Sequence, residues 1–252
     1  MMRPINLNEV RKYVNENIDS FHESRIRAVS ATKLETIVKK NPYLLRAKNV
    51  VKASELVEGA LSARLSSSEE ELFGAFLEGL AIFVAEQTTG GHKSGVTGVD
   101  LEFDNKGLHY FISIKSGINW GNADQHDKLE SNLRKAIQVY SQRQGQKAHA
   151  DAVLGICYGK TRTSRLRGYL KIVGQNFWAF ISGNEDLYKE IIEPIGYKAK
   201  EHNDNYNNEL GKITNKLTFQ FAETYCNADG SINWDMLIEA TCGNYDLDKQ
   251  GL

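Results

Sequence analysis

The chain has 252 residues, of which 41% are hydrophobic and 25% charged, with a formal net charge of -1. This balance is ordinary for a soluble globular protein, and the length suffices for one substantial core with helical additions or for two small domains. No run approaches the ~18 apolar residues of a membrane span, and Met1-Met2-Arg3-Pro4 leads into a polar segment without an apolar signal region, so membrane and secretory readings fall away.

The neutral total hides an uneven distribution. Arg25, Arg27, Lys33, Lys39, Lys40, Arg46, Lys48 and Lys52 crowd the span 24–52 against Glu35 alone, and Lys160, Arg162, Arg165, Arg167 and Lys171 follow one another with no intervening acid. Such segments create local positive surface for a polyanion even when the total is near zero. Cys157, Cys226 and Cys242 are odd in number and lack CxxC spacing. A disulfide framework or zinc ribbon is therefore not expected, and a reducing, cytoplasmic setting is.

In chain order, Asn6 and Glu9 have capping-box spacing, and Leu7, Val10, Val14 and Ile18 follow at helical intervals. Pro42 interrupts a second helical piece near 31–40, and Ser54 is a candidate cap for a third. A stronger helix is predicted over 68–86, with Leu72, Phe73, Phe76, Leu77, Leu80, Ile82 and Phe83 forming a wide apolar face, ended by Gly90-Gly91. Strands are predicted over 96–103 and 108–116 around the turn Asp104-Asn105-Lys106-Gly107. A helix over 123–142 capped by Asn122 follows, then strands over 152–158, 169–173 and 177–181. The remainder reads as helical, broken at Pro194-Ile195-Gly196. The simplest organisation is one α/β domain with helical additions at both ends.

Alternation along 108–116 sets His109, Phe111, Ser113 and Lys115 on one face and Leu108, Tyr110, Ile112 and Ile114 on the other, the expected core face. Asp100 lies one hairpin length before Ser113 on the partner strand, so Asp100, Ser113 and Lys115 can converge. Phosphodiester cleavage needs a carboxylate to hold a divalent cation and an ammonium near the attacking water or the developing phosphate charge. Spacing and strand context thus point to a metal-dependent nuclease. Taken singly, Asp100 reads as a turn aspartate and Lys115 as a solvated edge lysine.

The succession of a helix, Thr97-Gly98-Val99-Asp100, an antiparallel strand, Ser113-Ile114-Lys115, another helix and a further strand spans roughly 68–158. It resembles the PD-(D/E)xK nuclease superfamily, specifically its type II restriction endonucleases. The segments Gln175-Asn176-Phe177-Trp178-Ala179-Phe180-Ile181-Ser182-Gly183 and Ile192-Glu193-Pro194-Ile195-Gly196-Tyr197 also look like the branch that cuts purine-GG-N-CC-pyrimidine sites.

The resemblance implies an α/β fold: a restriction-endonuclease-like mixed sheet flanked by helices, with helical N- and C-terminal elaborations. It implies a single endonuclease domain with a helical elaboration over 1–66, a catalytic core over 67–182 and a second helical elaboration over 183–252. Ser113 stands where the superfamily usually has Glu or Asp. Some restriction enzymes carry serine there and recruit a carboxylate from a helix. Glu78 is the favoured replacement, Glu130 the next, and Glu71 shares a helix face with Glu78. An unpaired Glu78 among Phe76, Leu77, Leu80 and Ile82 would be costly to bury. A cation, Lys115 or an amino-terminal arginine would offset that cost.

On this reading Asp100 and Glu78 hold Mg²⁺, Lys115 orients the attacking water and stabilises phosphate charge, and Ser113 hydrogen-bonds a metal-bound water. Lys160, Arg162, Arg165 and Arg167 are the expected contacts to double-stranded DNA, with Asn119 and Asn122 near the cut strand. Trp120 is either a core aromatic or a loop contact. A palindromic target is matched most simply by a two-fold homodimer. Leu217, Phe219, Phe221 and Trp234 are candidates for its interface or for covering the sheet. The rival readings are a repair or junction nuclease of the same fold, a catalytically inactive DNA-binding protein, and a helical interaction protein.

Overall fold

Asn6 opens the first helix: its Oδ1 accepts the amide of Asn8 at 3.0 Å, and α1 runs Leu7–Ser30. The short helices α2 (Leu34–Val38) and α3 (Pro42–Ala47) follow. In α3 Pro42 occupies the first turn, where its missing N–H is no loss, and Asn41 Oδ1 accepts from the Leu44 amide at 3.1 Å. α4 is one unbroken helix, Ala53–Thr89, so the helix predicted over 68–86 begins earlier and Ser54 lies inside it instead of capping it. Gly90, at φ +74, ends it in the backbone region that glycine enters without strain.

The computed structural model describes residues 2–144, 149–166 and 168–246. The chain divides into two compact units, one of 1–21 with 72–199 and the other of 22–71 with 200–252.

The first unit holds a mixed six-stranded sheet in the order β1-β2-β3-β4-β6-β5. Its strands are β1 (His92–Lys93), β2 (Leu101–Asn105), β3 (Leu108–Lys115), β4 (Ala150–Ile156), β5 (Ser164–Leu166) and β6 (Tyr169–Val173). The β2–β3 hairpin closes through Lys106 and Gly107, both at positive φ, the turn whose twist matches the flanking strands. β3, β4 and β6 run parallel, while the strands at both edges are antiparallel. α5 (Ala123–Gln144) forms the crossover between β3 and β4.

Both faces of the sheet are core, not one as expected. Leu101, Ile112, Ile114, Val153 and Ile172 pack with Phe76, Leu80 and Val84 of α4. Phe111, Leu154, Ile156 and Val173 pack with Leu129, Leu133 and Ala136 of α5. A parallel centre flanked by helices leaves no solvated face. β2 also starts later than the strand predicted over 96–103, because 96–99 forms a turn in which the Val99 amide donates to Val96 O at 3.0 Å.

The segment predicted as a strand over 177–181 is instead α6 (Gln175–Ser182), bounded by Gly174 and by Gly183 in the left-handed region. Phe177 and Ile181, one helical turn apart, enter the core together, and Trp178 Nε1 donates to Cys157 O at 2.9 Å. So short an apolar run fits either period, and packing decides it. The short helices α7 (Leu187–Glu190) and α8 (Ile192–Ile195) complete this unit.

The second unit is helical, adding α9 (Ala199–Tyr225) and α10 (Trp234–Cys242) to residues of α1–α4. Leu217 and Phe221 are buried in its own core with Ile37, Leu56 and Leu61, and Phe219 is exposed. Arg25 lies inside this unit, bonded through Nε to Glu69 at 2.8 Å and stacked 3.9 Å from the Tyr206 ring centroid.

Candidate active site

The turn before β2 delivers Asp100. Gly98 sits at φ +79, and a Cβ there would lie 2.1 Å from Asn132 Nδ2 of α5, so only glycine lets the turn pack against that helix. The Asp100 amide donates to Ile112 O at 2.8 Å, the last rung before the two strands diverge. Beyond it the Asp100 side chain continues the ladder. Its Oδ2 accepts the Ile114 amide at 2.6 Å and the Ser113 hydroxyl at 3.2 Å. Ser113, 2% exposed, therefore orients the carboxylate. A backbone N–H donor fixes the direction in which the carboxylate points.

Lys115 is the last residue of β3, and its Nζ lies 5.4 Å from the Trp120 ring centroid. Trp120 is itself half-buried and packs against His126 at 4.3 Å. The aromatic face steadies the ammonium without neutralising it.

Glu78 comes from α4, partly buried, with Oε1 3.6 Å from Lys93 Nζ. Its partner is thus the edge-strand Lys93 and not an amino-terminal arginine; Arg11 pairs with Glu193, and Arg25 with Glu69. Burial, and next the Asp100 charge, push the Glu78 carboxyl above its ordinary value, while Lys93 and then Lys115 pull it back. Glu78, Asp100 and Lys115 therefore share one electrostatic neighbourhood. Cys157, beside them, has its thiol pushed far up by burial and by Glu78, which makes it inert as a nucleophile. α4 passes the end of β3 at Gly74, where a Cβ would meet Ser116 at 3.7 Å, an ordinary contact that does not itself demand glycine.

The other carboxylate candidates have different surroundings. Glu130 is paired with Arg134 one turn along α5, and Glu71 is exposed and belongs to the helical unit. His109, on the same strand face as Ser113, is buried between Glu102 (3.2 Å) and Asp104 (3.0 Å) and stacked 4.4 Å from Tyr140.

Lys160 and Arg162 are exposed in the segment after β4, and Asn119 is exposed after β3. Asn122 caps α5, accepting from the Gln125 amide at 3.1 Å and donating its own amide to Gln125 Oε1 at 2.9 Å. Arg165 grips Asp151 with both terminal nitrogens, at 2.9 and 2.6 Å. Arg167 lies outside the described residues.

Sequence reasoning missed Lys93 and Asn132. Neither carries a local signal: Lys93 sits in a strand of 2 residues and Asn132 on a polar helical stretch, and only tertiary contact reveals them.

Among the described residues no three His, Cys, Asp or Glu side chains gather as a metal site. Two neighbouring carboxylates, Asp100 and a Glu78 raised first by burial and then by the Asp100 charge, are nonetheless a donor set that fits a hard divalent cation, which takes one or two carboxylates and keeps several waters. A search of curated proteins finds no match. A family model described as type II restriction endonuclease EcoO109I matches residues 8–203, more than half of the chain. The chain belongs to that family of type II restriction endonucleases.

Proposed function

We propose that this protein is a Mg²⁺-dependent endonuclease that hydrolyses phosphodiester bonds at a short specific site in double-stranded DNA. The observation that carries the reading is the Asp100 carboxylate held by Ser113 and the Ile114 amide beside Lys115 at the end of β3, with Glu78 of α4 close enough to respond to both charges, in a chain of this family. Asp100 and Glu78 are the residues that would hold the cation. When bound, the cation polarises the phosphate and activates water.

The chain's own groups do the positioning. Ser113 and the Ile114 amide aim the Asp100 carboxylate. Lys115, steadied by Trp120, places an ammonium against the attacking water or the phosphate oxygens. Lys160 and Arg162 contact backbone phosphates, and Asn119 approaches the cut strand. Arg167 is a further basic residue proposed for DNA contact, whereas Arg165 is engaged by Asp151. A homodimer, one copy per strand, matches a palindromic target. The whole chain acts as a single endonuclease domain with helical elaborations.

The test is incubation of the purified protein with a long unmethylated duplex carrying purine-GG-N-CC-pyrimidine sites, with Mg²⁺ and with chelator. Discrete Mg²⁺-dependent fragments with constant ends are expected. Intact DNA across several substrates, from folded protein, would favour a binding protein with a degenerate site. Cutting that follows DNA junctions instead of sequence would favour a repair nuclease.

A further inference from the structure

Lys93 stands beside the proposed cation site without belonging to any motif. The chain leaves α4, reverses through Gly90, and threads Gly91 so tightly between α4 and β2 that a Cβ there would lie 3.1 Å from both Ala85 and Leu101. That passage fixes β1 against β2, with Lys93 opposite Leu101, and the Ser94 amide donates to Asp100 O at 3.1 Å. Lys93 is therefore anchored beside Asp100 by backbone, yet its side chain faces α4 and reaches Glu78 at 3.6 Å. Its side chain is 72% exposed, against 32% for Glu78.

We propose, resting on the endonuclease reading above, that Lys93 is a positioning residue: its ammonium is the resident counter-ion of Glu78 and gives way when a divalent cation binds. Three properties suit it to this role. A lysine ammonium is a compact point charge on a flexible stem, with no fork geometry to lock it onto a carboxylate. An exposed pair of this kind is weak and readily exchanged. The backbone on either side is held by the β1–β2 ladder, so the side chain can leave without moving Asp100. Lys93 thus keeps the two carboxylates tolerable to each other without cation, and opposes the cation's arrival by its own positive charge. An edge lysine that merely discourages strand pairing would have no such effect on the carboxylates.

The experiment is Mn²⁺ titration of the full-length protein without DNA, with free Mn²⁺ read by electron paramagnetic resonance. K93Q should bind Mn²⁺ about three- to tenfold more tightly than wild type, as expected for removing one nearby positive charge. K93R, which keeps the charge and adds a fork that can grip the carboxylate, should bind Mn²⁺ no more tightly than wild type, and D100N should lose the site. Unchanged or weaker Mn²⁺ binding by K93Q, with D100N still deficient, would overturn the role of Lys93 alone. Equal binding by wild type and D100N would overturn the proposed cation site and the inference with it.

Discussion

The Asp100 carboxylate replaces a rung of the sheet: its Oδ2 accepts the Ile114 amide at 2.6 Å where the backbone of β2 no longer reaches β3. A side chain so held is both a structural acceptor and the proposed cation ligand, and substitutions can separate these roles. Asp100→Asn keeps an acceptor of the same shape and should leave the melting temperature close to wild type while cleavage falls at least 10³-fold, by roughly the loss expected for a core catalytic group. Asp100→Ala should lose cleavage as well and destabilise by about 1–3 kcal/mol, because the Ile114 amide is stranded. Thermal denaturation alongside a cleavage assay checks both.

Gly98→Ala should be damaging out of proportion to its size. The residue sits at φ +79, and the added methyl would meet Asn132 Nδ2 at 2.1 Å. Strain and displacement together should cost about 1–3 kcal/mol and tilt the turn that carries Asp100. Calorimetric unfolding measures the first, and the fall in cleavage rate the second. A variant as stable as wild type would place the glycine outside any strained turn.

Glu78 gives a pH dependence of defined sign. Burial and the Asp100 charge raise its carboxyl above the ordinary 4.5. A carboxyl raised by folding binds its proton more readily in the native state, so stability falls as pH rises between the ordinary and the raised value. Without divalent cation, Glu78→Gln should be more stable than wild type above that window and should lose the advantage below it. The same change should abolish cation-dependent cleavage. Melting curves from about pH 4 to about pH 8 decide it; a pH-independent difference would mean that Glu78 ionises unhindered.

Arg162→Ala should weaken DNA binding nearly equally for all sequences and reduce the salt slope by roughly 1, as for a phosphate contact. Arg165→Ala should differ. Arg165 is tied bidentately to Asp151, whose carboxyl burial raises but the Arg165 bonds outweigh, leaving it below its ordinary value. Its loss should lower stability at neutral pH, and the difference should shrink as acid protonates Asp151. Fluorescence anisotropy across salt, with melting curves at two pH values, distinguishes the two arginines.

The hairpin and its site were legible because their signals are local. Asp104-Asn105-Lys106-Gly107 marks the turn, alternation marks β3, and the offset from Asp100 to Ser113 follows from both. Glu78 was legible as a carboxylate out of place on an apolar helix. What was not legible depends on distant contacts. Phe177–Ile181 reads equally as strand or helix until Gly174, Gly183 and the Trp178–Cys157 bond decide it. Lys93 acquires meaning only when the chain doubles back along α4, and Arg165 reads as a free basic residue until Asp151 is beside it. Leu217 and Phe221 looked surplus because the helical unit that buries them has no motif of its own.

The most direct measurement is single-turnover cleavage of a long unmethylated duplex with Mg²⁺ by wild type, Asp100→Asn and Lys115→Ala, with DNA binding of each measured in parallel. Wild type is expected to yield discrete fragments that vanish with chelator, and both variants to bind DNA but leave it intact. Wild-type-level cutting by either variant would contradict the assignment of Asp100 and Lys115 as the cleavage centre.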